Sequence, residues 1–297
     1  MSSSKASPFA LALHGGAGVM PGRDYERARV QLHGLAEAGR AALESGASAL
    51  DVVETAVRAL EAEGLNVAGR GSAPNAAGYV ELDASIMDGA SGKAGAVCAL
   101  RDIVNPISAA RQVMEQTDHV LLAGEGARAF ALEAGLAVVD EPDGYYRIPD
   151  GIRPADFDQP RARAHGTVGA VALDRDGRLA AATSTGGTFG KRAGRVGDTP
   201  LIGPGSWADT DVAISSTGVG EAFILAGGSG DVAARMRYGG QALQPASEAM
   251  LDQVRVHGGD GGLIAVTRTG ELVFSWNSHG MKRAGAGSHY ETFSAVR

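Results

Sequence analysis

The 297-residue sequence lacks several features that would place it in a specialised class of protein. It has one cysteine, Cys98, which excludes an intramolecular disulfide, and the apolar run around that residue is typical of a buried core position. No apolar run reaches about 18 residues, so no membrane-spanning helix is predicted. Aromatic residues make up only 5%, and we therefore expect a core of alanine, valine, leucine and isoleucine.

An excess of positive charge is also missing. The formal net charge of −7 argues against a general surface for nucleic acid or for an anionic membrane, so neither partner is expected. The first apolar run, residues 9–13, is too short for a secretory signal peptide, and a cytoplasmic location is predicted. The seven histidines are scattered without metal-ligand spacing, so no cofactor is expected for catalysis.

Glycine, in contrast, is abundant. The 44 glycines follow no collagen-like period, and they indicate many tight turns and close backbone approaches. Hydrophobic residues at 44% and charged residues at 21% fit a globular protein with one large α/β domain or two small ones. No internal repeat is found, and one irregular stretch rich in Asp, Pro, Arg and Gly occupies residues 140–163.

Strand and helix patterns alternate along the rest of the chain. Residues 24–45 and 49–63 predict two amphipathic helices, and Ser48 with Asp51 resembles a capping box at the start of the second. Asn105, directly before a proline, predicts the N-cap of a third helix. Further helices are predicted at 126–134, 221–226 and 244–254, and strands at 8–13, 79–87, 94–101, 120–122, 168–173, 179–183, 212–215, 262–267 and 271–276.

Thr167 stands where the irregular stretch meets the first strand of a buried hairpin, whose turn is predicted at Asp176-Gly177. A threonine hydroxyl is a weak nucleophile unless a base activates it, and a threonine that begins a chain can use its own α-amine as the base. That chemistry requires a cut between Gly166 and Thr167, and glycine suits a sterically exposed scissile position. On this local pattern alone, an ordinary strand residue is the simpler interpretation.

The motifs elsewhere in the chain favour a nucleophilic role for Thr167 over that of an ordinary strand residue. They are HGGAG at 14–18, AGRGS at 68–72, ELDASIMDG at 81–89, NPIS at 105–108, HVLL at 119–122, GTVGAVALD at 166–174, TSTGG at 183–187, GRVGDTP at 194–200, GPG at 203–205, STGVGE at 216–221, GGLIA at 261–265 and NSHGM at 277–281. In this order they resemble the plant-type asparaginase and isoaspartyl aminopeptidase family of N-terminal-nucleophile (threonine) hydrolases. The resemblance runs nearly end to end and is far more specific than any single glycine motif.

The resemblance implies a fold and an activity. The fold is an α/β four-layer αββα sandwich, which the order of predicted strands and helices also suits. A single domain over 1–297 would cut itself into an α subunit, 1–166, and a β subunit, 167–297, and relatives form homodimers of such αβ units. The reaction would be hydrolysis of the side-chain amide of L-asparagine, or of β-aspartyl dipeptides, through an acyl-enzyme on Thr167.

The resemblance also assigns catalytic roles. Thr167 would supply both the nucleophile and, once its amine is free, the base. Thr185 lies 18 residues later and beyond one hairpin, a position from which it could hydrogen-bond to Thr167; a threonine that caps a turn is the alternative. Thr217 and Gly218 would form the oxyanion hole, in which one hydroxyl and one backbone N–H face the developing negative charge; such a donor is often worth ~3 kcal/mol.

The same resemblance predicts how the substrate is held. Arg195 would bind the α-carboxylate in bidentate fashion, and Asp198 would bind the α-ammonium. Together they would recognise the zwitterionic end of asparagine. Thr217, Gly218 and the glycine turn at Gly15 would complete the binding site. Without the resemblance, an Arg-x-x-Asp loop is most often a surface ion pair, and Gly15 could equally be part of a tight strand-to-helix connection.

The glycine-rich loop from Gly64 to Gly71 differs from the family pattern. Relatives carry Phe-Asn directly before Ala-Gly and bind a structural sodium through backbone carbonyls. Here Asn66-Val67 precede Ala68, so the asparagine is displaced by one position or replaced by valine. A structural sodium is implied for this loop, and the displaced asparagine bears directly on its geometry and on the polar contact that this asparagine makes.

Other members of the superfamily offer alternative activities. Glycosylasparaginases typically have Asn-Gly after the threonine that corresponds to Thr185, whereas this chain has two glycines, which favours the asparaginase activity. A threonine endopeptidase fits less well because Arg195 and Asp198 suit a small free amino-acid end. A homologue that binds without processing itself stays open because of the displaced Asn66.

A phosphate-binding module is the alternative from another class of protein. Residues 186–192 read GGTFGKR, but the first glycine of a P-loop is not at the required spacing and Arg192 replaces the Ser or Thr that would hold Mg²⁺. We therefore reject nucleotide binding. His165, directly before the glycine of the predicted cut, is assigned no catalytic role.

Overall fold

The computed structural model describes residues 7–153 and 166–297. Within these ranges two β-sheets pack face to face and helices cover the outer face of each sheet, which gives four layers in the order α, β, β, α. The predicted α/β class and sandwich arrangement are confirmed. His165 and residues 154–163 of the irregular stretch lie outside the described residues.

The helices are α1 (Glu26–Glu44), α2 (Ala49–Glu63), α3 (Pro106–Gln116), α4 (Gly124–Glu133), α5 (Gly220–Ala226), α6 (Gly228–Gly239) and α7 (Leu243–Val256). The strands are β1 (Ala10–His14), β2 (Leu82–Asp88), β3 (Ala94–Leu100), β4 (Leu121–Ala123), β5 (Val168–Leu173), β6 (Leu179–Thr185), β7 (Ser206–Ala208), β8 (Val212–Gly218), β9 (Gly261–Thr267), β10 (Leu272–Trp276), β11 (Arg283–Gly287) and β12 (Tyr290–Ala295).

The larger sheet has the strand order β12-β11-β1-β5-β6-β2-β3-β4, and its neighbouring strands are antiparallel except for β3 and β4. The predicted hairpin of β5 and β6 lies at its centre, paired from Val168 with Ser184 to Leu173 with Leu179. The smaller sheet is antiparallel with the order β10-β9-β8-β7. The strand that follows the irregular stretch is therefore buried in the middle of the protein.

Three apolar cores join the layers. One lies between helices α1 to α4 and the larger sheet, one lies between the two sheets, and one lies between the smaller sheet and helices α5 to α7. Alanine dominates the central strands, as in β6, which reads LAAATST and is buried throughout. Burying a Val or Leu side chain stabilises the fold by about 1.5–3 kcal/mol, and small side chains let the layers approach closely.

Helix α3 begins as predicted, with Asn105 at the N-cap position and Pro106 directly after it. The Asn105 side chain itself makes no capping hydrogen bond. Instead the buried carboxylate of Glu61, from α2, accepts from the backbone N–H of Ile107 at 3.1 Å and from Asn105 Nδ2 at 3.0 Å. A carboxylate is favoured there because the first N–H groups of a helix lack backbone partners. The N-cap position predicted at Asn105 is confirmed, and the Glu61 carboxylate supplies the capping contact.

Other local predictions agree with the structure. The backbone N–H of Asp51 donates to Ser48 Oγ at 3.1 Å and Ser48 Oγ donates to Asp51 Oδ2 at 2.7 Å, so the capping box of α2 is confirmed. Cys98 is buried, as predicted. No helix in the two described ranges is long and apolar enough to cross a membrane.

Candidate active site

The alternation of side chains along the strands decides which residues can meet between the two sheets. On β6, Ala180 and Ala182 face the helices, whereas Leu179 and Ala181 face the smaller sheet. The same period of two directs Thr183 and Thr185 into the layer between the sheets. The faces of β5 and β8 that point into this layer follow the same rule. The face of β5 continues to Thr167, the residue just before the strand, and the face of β8 carries Ser215 and Thr217 at the end of the strand.

Thr167 and Thr185 lie side by side at the edge of this layer. Thr167 Oγ1 donates to Thr185 Oγ1 at 3.2 Å, and both residues are buried. Thr185 Oγ1 in turn donates to the backbone oxygen of Val67 at 3.3 Å and accepts from the N–H of Gly187 at 3.0 Å. These contacts fix the hydroxyl of Thr185, which can therefore orient the hydroxyl of Thr167 and accept its proton in a hydrogen bond.

A small cleft opens onto the two threonines. It is lined by Thr167, Thr185, Gly187, Thr188, Arg195, Gly197, Asp198, Thr199, Gly218 and Gly220. The structure thus brings together five of the seven residues predicted for catalysis and substrate binding. The other two, Thr217 and Gly15, do not line the cleft, and neither does Gly166 of the predicted cleavage site.

Thr217 and Gly218 end strand β8. Thr217 is fully buried and its Oγ1 accepts a 3.3 Å hydrogen bond from the N–H of Ala17, in the glycine turn after β1. Position 218 has no room for a larger residue, because an added Cβ would lie 2.4 Å from the backbone oxygen of Asp260. This glycine therefore brings the backbone itself to the wall of the cleft.

Arg195 is held by a residue that the sequence analysis did not single out as part of the site. Its Nε and Nη2 donate to the two carboxylate oxygens of Glu221 at 2.8 and 2.7 Å. Burial opposes the charge of Arg195, but the hydrogen bonds to Glu221 together with the negative charges of Glu221, Asp198 and Asp83 outweigh it, and the pKa of Arg195 is raised. The signal was present, since Glu221 closes the STGVGE motif.

Asp198 is a buried carboxylate in the wall of the cleft. Burial raises its pKa to about 7, against the backbone hydrogen bond and the charge of Arg195, which both lower it. Its Oδ2 has no hydrogen-bond partner within the described residues. A buried carboxylate oxygen without a partner is costly unless a ligand satisfies it, and a cation or N–H donor is the chemistry that would do so.

The altered loop before Ala68 reaches this site through its backbone. The backbone oxygen of Val67 accepts from Gly186 N–H at 2.9 Å and from Thr185 Oγ1 at 3.3 Å, so a side-chain amide at position 67 is not needed for these contacts. The Val67 side chain packs beside Gly166, where an added Cβ would lie 2.4 Å from Val67 Cγ2.

The displaced Asn66 makes a different contact. Its Oδ1 accepts from Lys282 Nζ at 2.5 Å, and both residues are buried. Burial lowers the pKa of Lys282 to about 7. Gly15 packs directly on this pair, because an added Cβ would lie 2.6 Å from Asn66 Oδ1. Lys282 was assigned no role from the sequence.

The same loop is closely packed at two of its glycines. Added Cβ atoms at Gly69 and Gly71 would lie 2.5 and 1.9 Å from the backbone oxygens of Glu61 and Asn66. The described part of the chain contains no group of His, Cys, Asp and Glu residues that could hold a metal ion.

Comparison with known proteins gives the context for this geometry. The family described as Asparaginase matches residues 7–293. The chain belongs to the Asparaginase family. An "Isoaspartyl peptidase" of Salmonella typhimurium is 44% identical, over 92% of this chain and 94% of its own length. The "Isoaspartyl peptidase" of Escherichia coli is 43% identical, over 92% and 91%. A "Plant-type L-asparaginase" of Pyrobaculum calidifontis is 41% identical, over 92% and 95%.

Family membership confirms the resemblance drawn from the sequence motifs. It also agrees with the layered α/β sandwich, which is the fold of this family.

Proposed function

We propose that this protein is a hydrolase that cleaves the side-chain amide of L-asparagine and the isoaspartyl bond of β-aspartyl dipeptides. Relatives that are 40–44% identical carry the names isoaspartyl peptidase and L-asparaginase. The observation that carries the proposal is the cleft in which Thr167, hydrogen-bonded to Thr185 at 3.2 Å, lies among Arg195 and Asp198. Small zwitterionic molecules are the substrates that such a cleft fits.

Self-cleavage would come first. The Thr167 hydroxyl attacks the Gly166 carbonyl carbon, and the peptide C–N bond breaks as the nitrogen takes a proton to become the free amine of Thr167. The resulting ester is then hydrolysed by water, which leaves 1–166 with a new carboxylate and 167–297 with a free N-terminal threonine. Val67 packs beside Gly166 and accepts a hydrogen bond from Thr185, so it would fix the Gly166 side of this bond relative to the hydroxyl that orients Thr167.

Hydrolysis of the substrate would reuse the same hydroxyl. The free amine of Thr167 accepts the hydroxyl proton as the oxygen attacks the amide carbon, and the protonated amine then returns the proton to the departing nitrogen. Gly218 N–H and Thr217 would stabilise the oxyanion. Water then hydrolyses the acyl-enzyme, which releases an aspartate carboxylate and restores Thr167.

Substrate recognition would divide between two charged groups. Asp198 binds the α-ammonium, whose positive charge favours the ionised carboxylate over the protonated one. Arg195 binds the α-carboxylate with the guanidinium edge that Glu221 leaves available. The side-chain amide of the substrate would then lie toward Thr167, because Arg195, Asp198 and Thr167 all line the same cleft.

Several features of the protein in solution belong to the same proposal. The loop from Gly64 to Gly71 would hold a structural sodium ion through backbone carbonyls, as the family resemblance implies, while no cofactor would be needed for the chemistry. The processed α and β subunits would form one domain, and two such αβ units a homodimer in the cytoplasm.

The activity is tested with three amide substrates. We expect ammonia release from L-asparagine and amino-acid release from a β-aspartyl dipeptide, with little hydrolysis of an N-glycosylated asparagine. Thr185→Val keeps the shape of Thr185 but removes its hydroxyl, so it should lower kcat by about 10- to 100-fold. Faster hydrolysis of the glycosylated substrate would instead favour a glycosylasparaginase, and activity unchanged in Thr185→Val would contradict the assigned role.

A further inference from the structure

His14 ends strand β1 and is fully buried between the two sheets. Its Nδ1 lies 3.0 Å from the backbone oxygen of Thr167, and its Nε2 lies 2.9 Å from Ser215 Oγ. The three residues come from β1, from the residue before β5, and from β8. One imidazole therefore joins the two sheets directly behind the proposed nucleophile.

The partners of His14 fix its protonation. Burial lowers the pKa of His14 to about 3, so the imidazole is neutral at physiological pH. A backbone oxygen can only accept, so Nδ1 carries the proton and donates to Thr167. Nε2 must then accept from the Ser215 hydroxyl.

The same logic continues through a line of hydroxyls. The Ser215 hydroxyl already donates its proton to His14, so Ser215 Oγ accepts the hydrogen bond from Thr183 Oγ1 at 2.7 Å. Thr183 Oγ1 in turn accepts from Ser206 Oγ. Every proton in the line points toward Thr167, because the backbone oxygen at its end can take no other role. Only this tautomer of His14 satisfies both of its ring hydrogen bonds, and the hydroxyl line is consistent with it.

The backbone leaves space for this contact. Gly169 faces the same interlayer, and a Cβ at this position would lie 2.0 Å from Ser215 Oγ and 2.3 Å from His14 Nε2. A glycine in the interior of a buried strand is otherwise unfavourable. Its presence in β5 therefore fits a requirement for the close approach of His14 and Ser215.

The position of His14 matters because the proposed self-cleavage removes the covalent bond that holds Thr167 on its N-terminal side. Thr167 precedes the first pair of the β5–β6 ladder, Val168 with Ser184, and the β1–β5 ladder starts only at Gly169 with His14. Once the bond to Gly166 is cut, Thr167 becomes a chain end just outside both ladders. The ends of chains fray unless a contact ties them down.

We propose that His14 is a positioning residue that holds the backbone of Thr167 after self-cleavage, and that Ser215 and Thr183 keep its donor aimed at that backbone. The inference rests on the proposed function. Nucleophile and base would both sit on residue 167, so a frayed chain end would lose both at once. Substrate binding would persist, because Arg195 and Asp198 lie on a separate loop.

The first test compares two substitutions of one residue. In His14→Asn the side-chain Nδ2 takes the place of Nδ1 and can still donate to Thr167, whereas His14→Ala cannot. We expect kcat of processed His14→Ala to fall by about 10- to 100-fold with KM unchanged, and His14→Asn to recover most of the loss. Self-cleavage should be affected less than hydrolysis in both variants, since Thr167 is still tethered on both sides before the cut.

The second test uses neighbouring serines of one strand. Ser215 and Ser216 are both fully buried, but Ser216 points away from the site and pairs with Ser229 at 2.8 Å. Ser215→Ala should lower kcat at constant KM, and Ser216→Ala should leave it at the wild-type value. The kcat of each variant is divided by the fraction of processed, folded protein.

The results separate two kinds of failure. Equal kcat for Ser215→Ala and Ser216→Ala, or no advantage of His14→Asn over His14→Ala, in an otherwise active enzyme would overturn the positioning role alone. A wild-type protein that neither cuts itself nor hydrolyses the substrates would contradict the proposed function instead.

Discussion

Arg195 reaches the cleft with two of its nitrogens already bound to both carboxylate oxygens of Glu221, at 2.8 and 2.7 Å. The pair fixes the plane of the guanidinium. A ligand carboxylate is thus offered a preoriented edge instead of a mobile side chain, which reduces the entropy lost on binding. Glu221 is mostly exposed, so the ion pair itself adds little to folding stability.

Arg195→Lys should weaken substrate binding. A lysine keeps the positive charge but cannot bind Glu221 and a substrate carboxylate in the same planar arrangement. We expect KM for L-asparagine to rise by about 10- to 100-fold and kcat to change less, as measured by ammonia release. Arg192→Lys, at an exposed position of the same loop, is the matched control and should behave as wild type. Similar KM values for the two variants would contradict a role of Arg195 in binding.

Asp198 should make asparagine binding depend on pH. Its pKa is about 7 in the free protein, so the carboxylate that would bind the α-ammonium is lost as the pH falls below that value. Succinamate, which lacks the α-amino group, has no need of that charge. We expect the ratio of kcat/KM for asparagine to that for succinamate to fall below about pH 7 and to level off above it.

The ionisation of the Thr167 amine changes kcat/KM for both substrates by the same factor, so its effect cancels in this ratio. A ratio that stays constant across the pH range would show that Asp198 does not bind the ammonium.

Glu61 should matter for stability more than its helical neighbours. Its buried carboxylate accepts from Ser184 Oγ at 2.6 Å as well as from Asn105 and Ile107, so it joins α2, α3 and β6. Burial raises its pKa to about 7, against those hydrogen bonds. At pH 8, above that pKa, Glu61→Gln would turn an N–H₂ group toward donors and should destabilise the protein by about 1–3 kcal/mol.

The measurement is the midpoint of thermal unfolding. Glu63→Gln, at the exposed end of the same helix, is the control and should leave the midpoint unchanged. Equal midpoints for the two variants would show that the Glu61 hydrogen bonds contribute nothing net.

Gly166→Ala should slow self-cleavage. The added methyl would lie 2.4 Å from Val67 Cγ2 and 2.8 Å from the Val67 nitrogen, which forces the scissile bond away from Thr185. Overpacking of this kind costs ~1–3 kcal/mol, so the half-time of cleavage after cell-free synthesis should lengthen by about 5- to 100-fold. Gly34→Ala on α1, where nothing lies within 4 Å, is the control. Equal half-times would exclude close packing of Gly166 as a factor.

The local features of this protein could be predicted from its sequence. The hairpin of β5 and β6 and the capping box at Ser48 follow from turn residues and side-chain spacing, which act over a few positions. The juxtaposition of Thr167 and Thr185 belongs to this group, because both lie near the paired ends of one hairpin.

The contacts that depend on sheet order could not be predicted in this way. His14 meets Ser215 across 201 residues of sequence, Asn66 meets Lys282 across 216, and Glu61 meets Ser184 across 123. Each pair joins elements whose adjacency is set by the stacking of layers and not by any local pattern. The contact between Glu61 and the start of α3 has the same origin, since this carboxylate comes from another helix.

The most direct test of the central claim is the intact mass of wild-type protein and of Thr167→Ala, measured under denaturing conditions. The proposed mechanism predicts two fragments from the wild type, 1–166 and 167–297, and one full-length chain from the variant, with amide hydrolysis in the cleaved protein only. A wild-type chain that stays intact for days and releases no ammonia from asparagine would contradict Thr167 as the self-activated nucleophile.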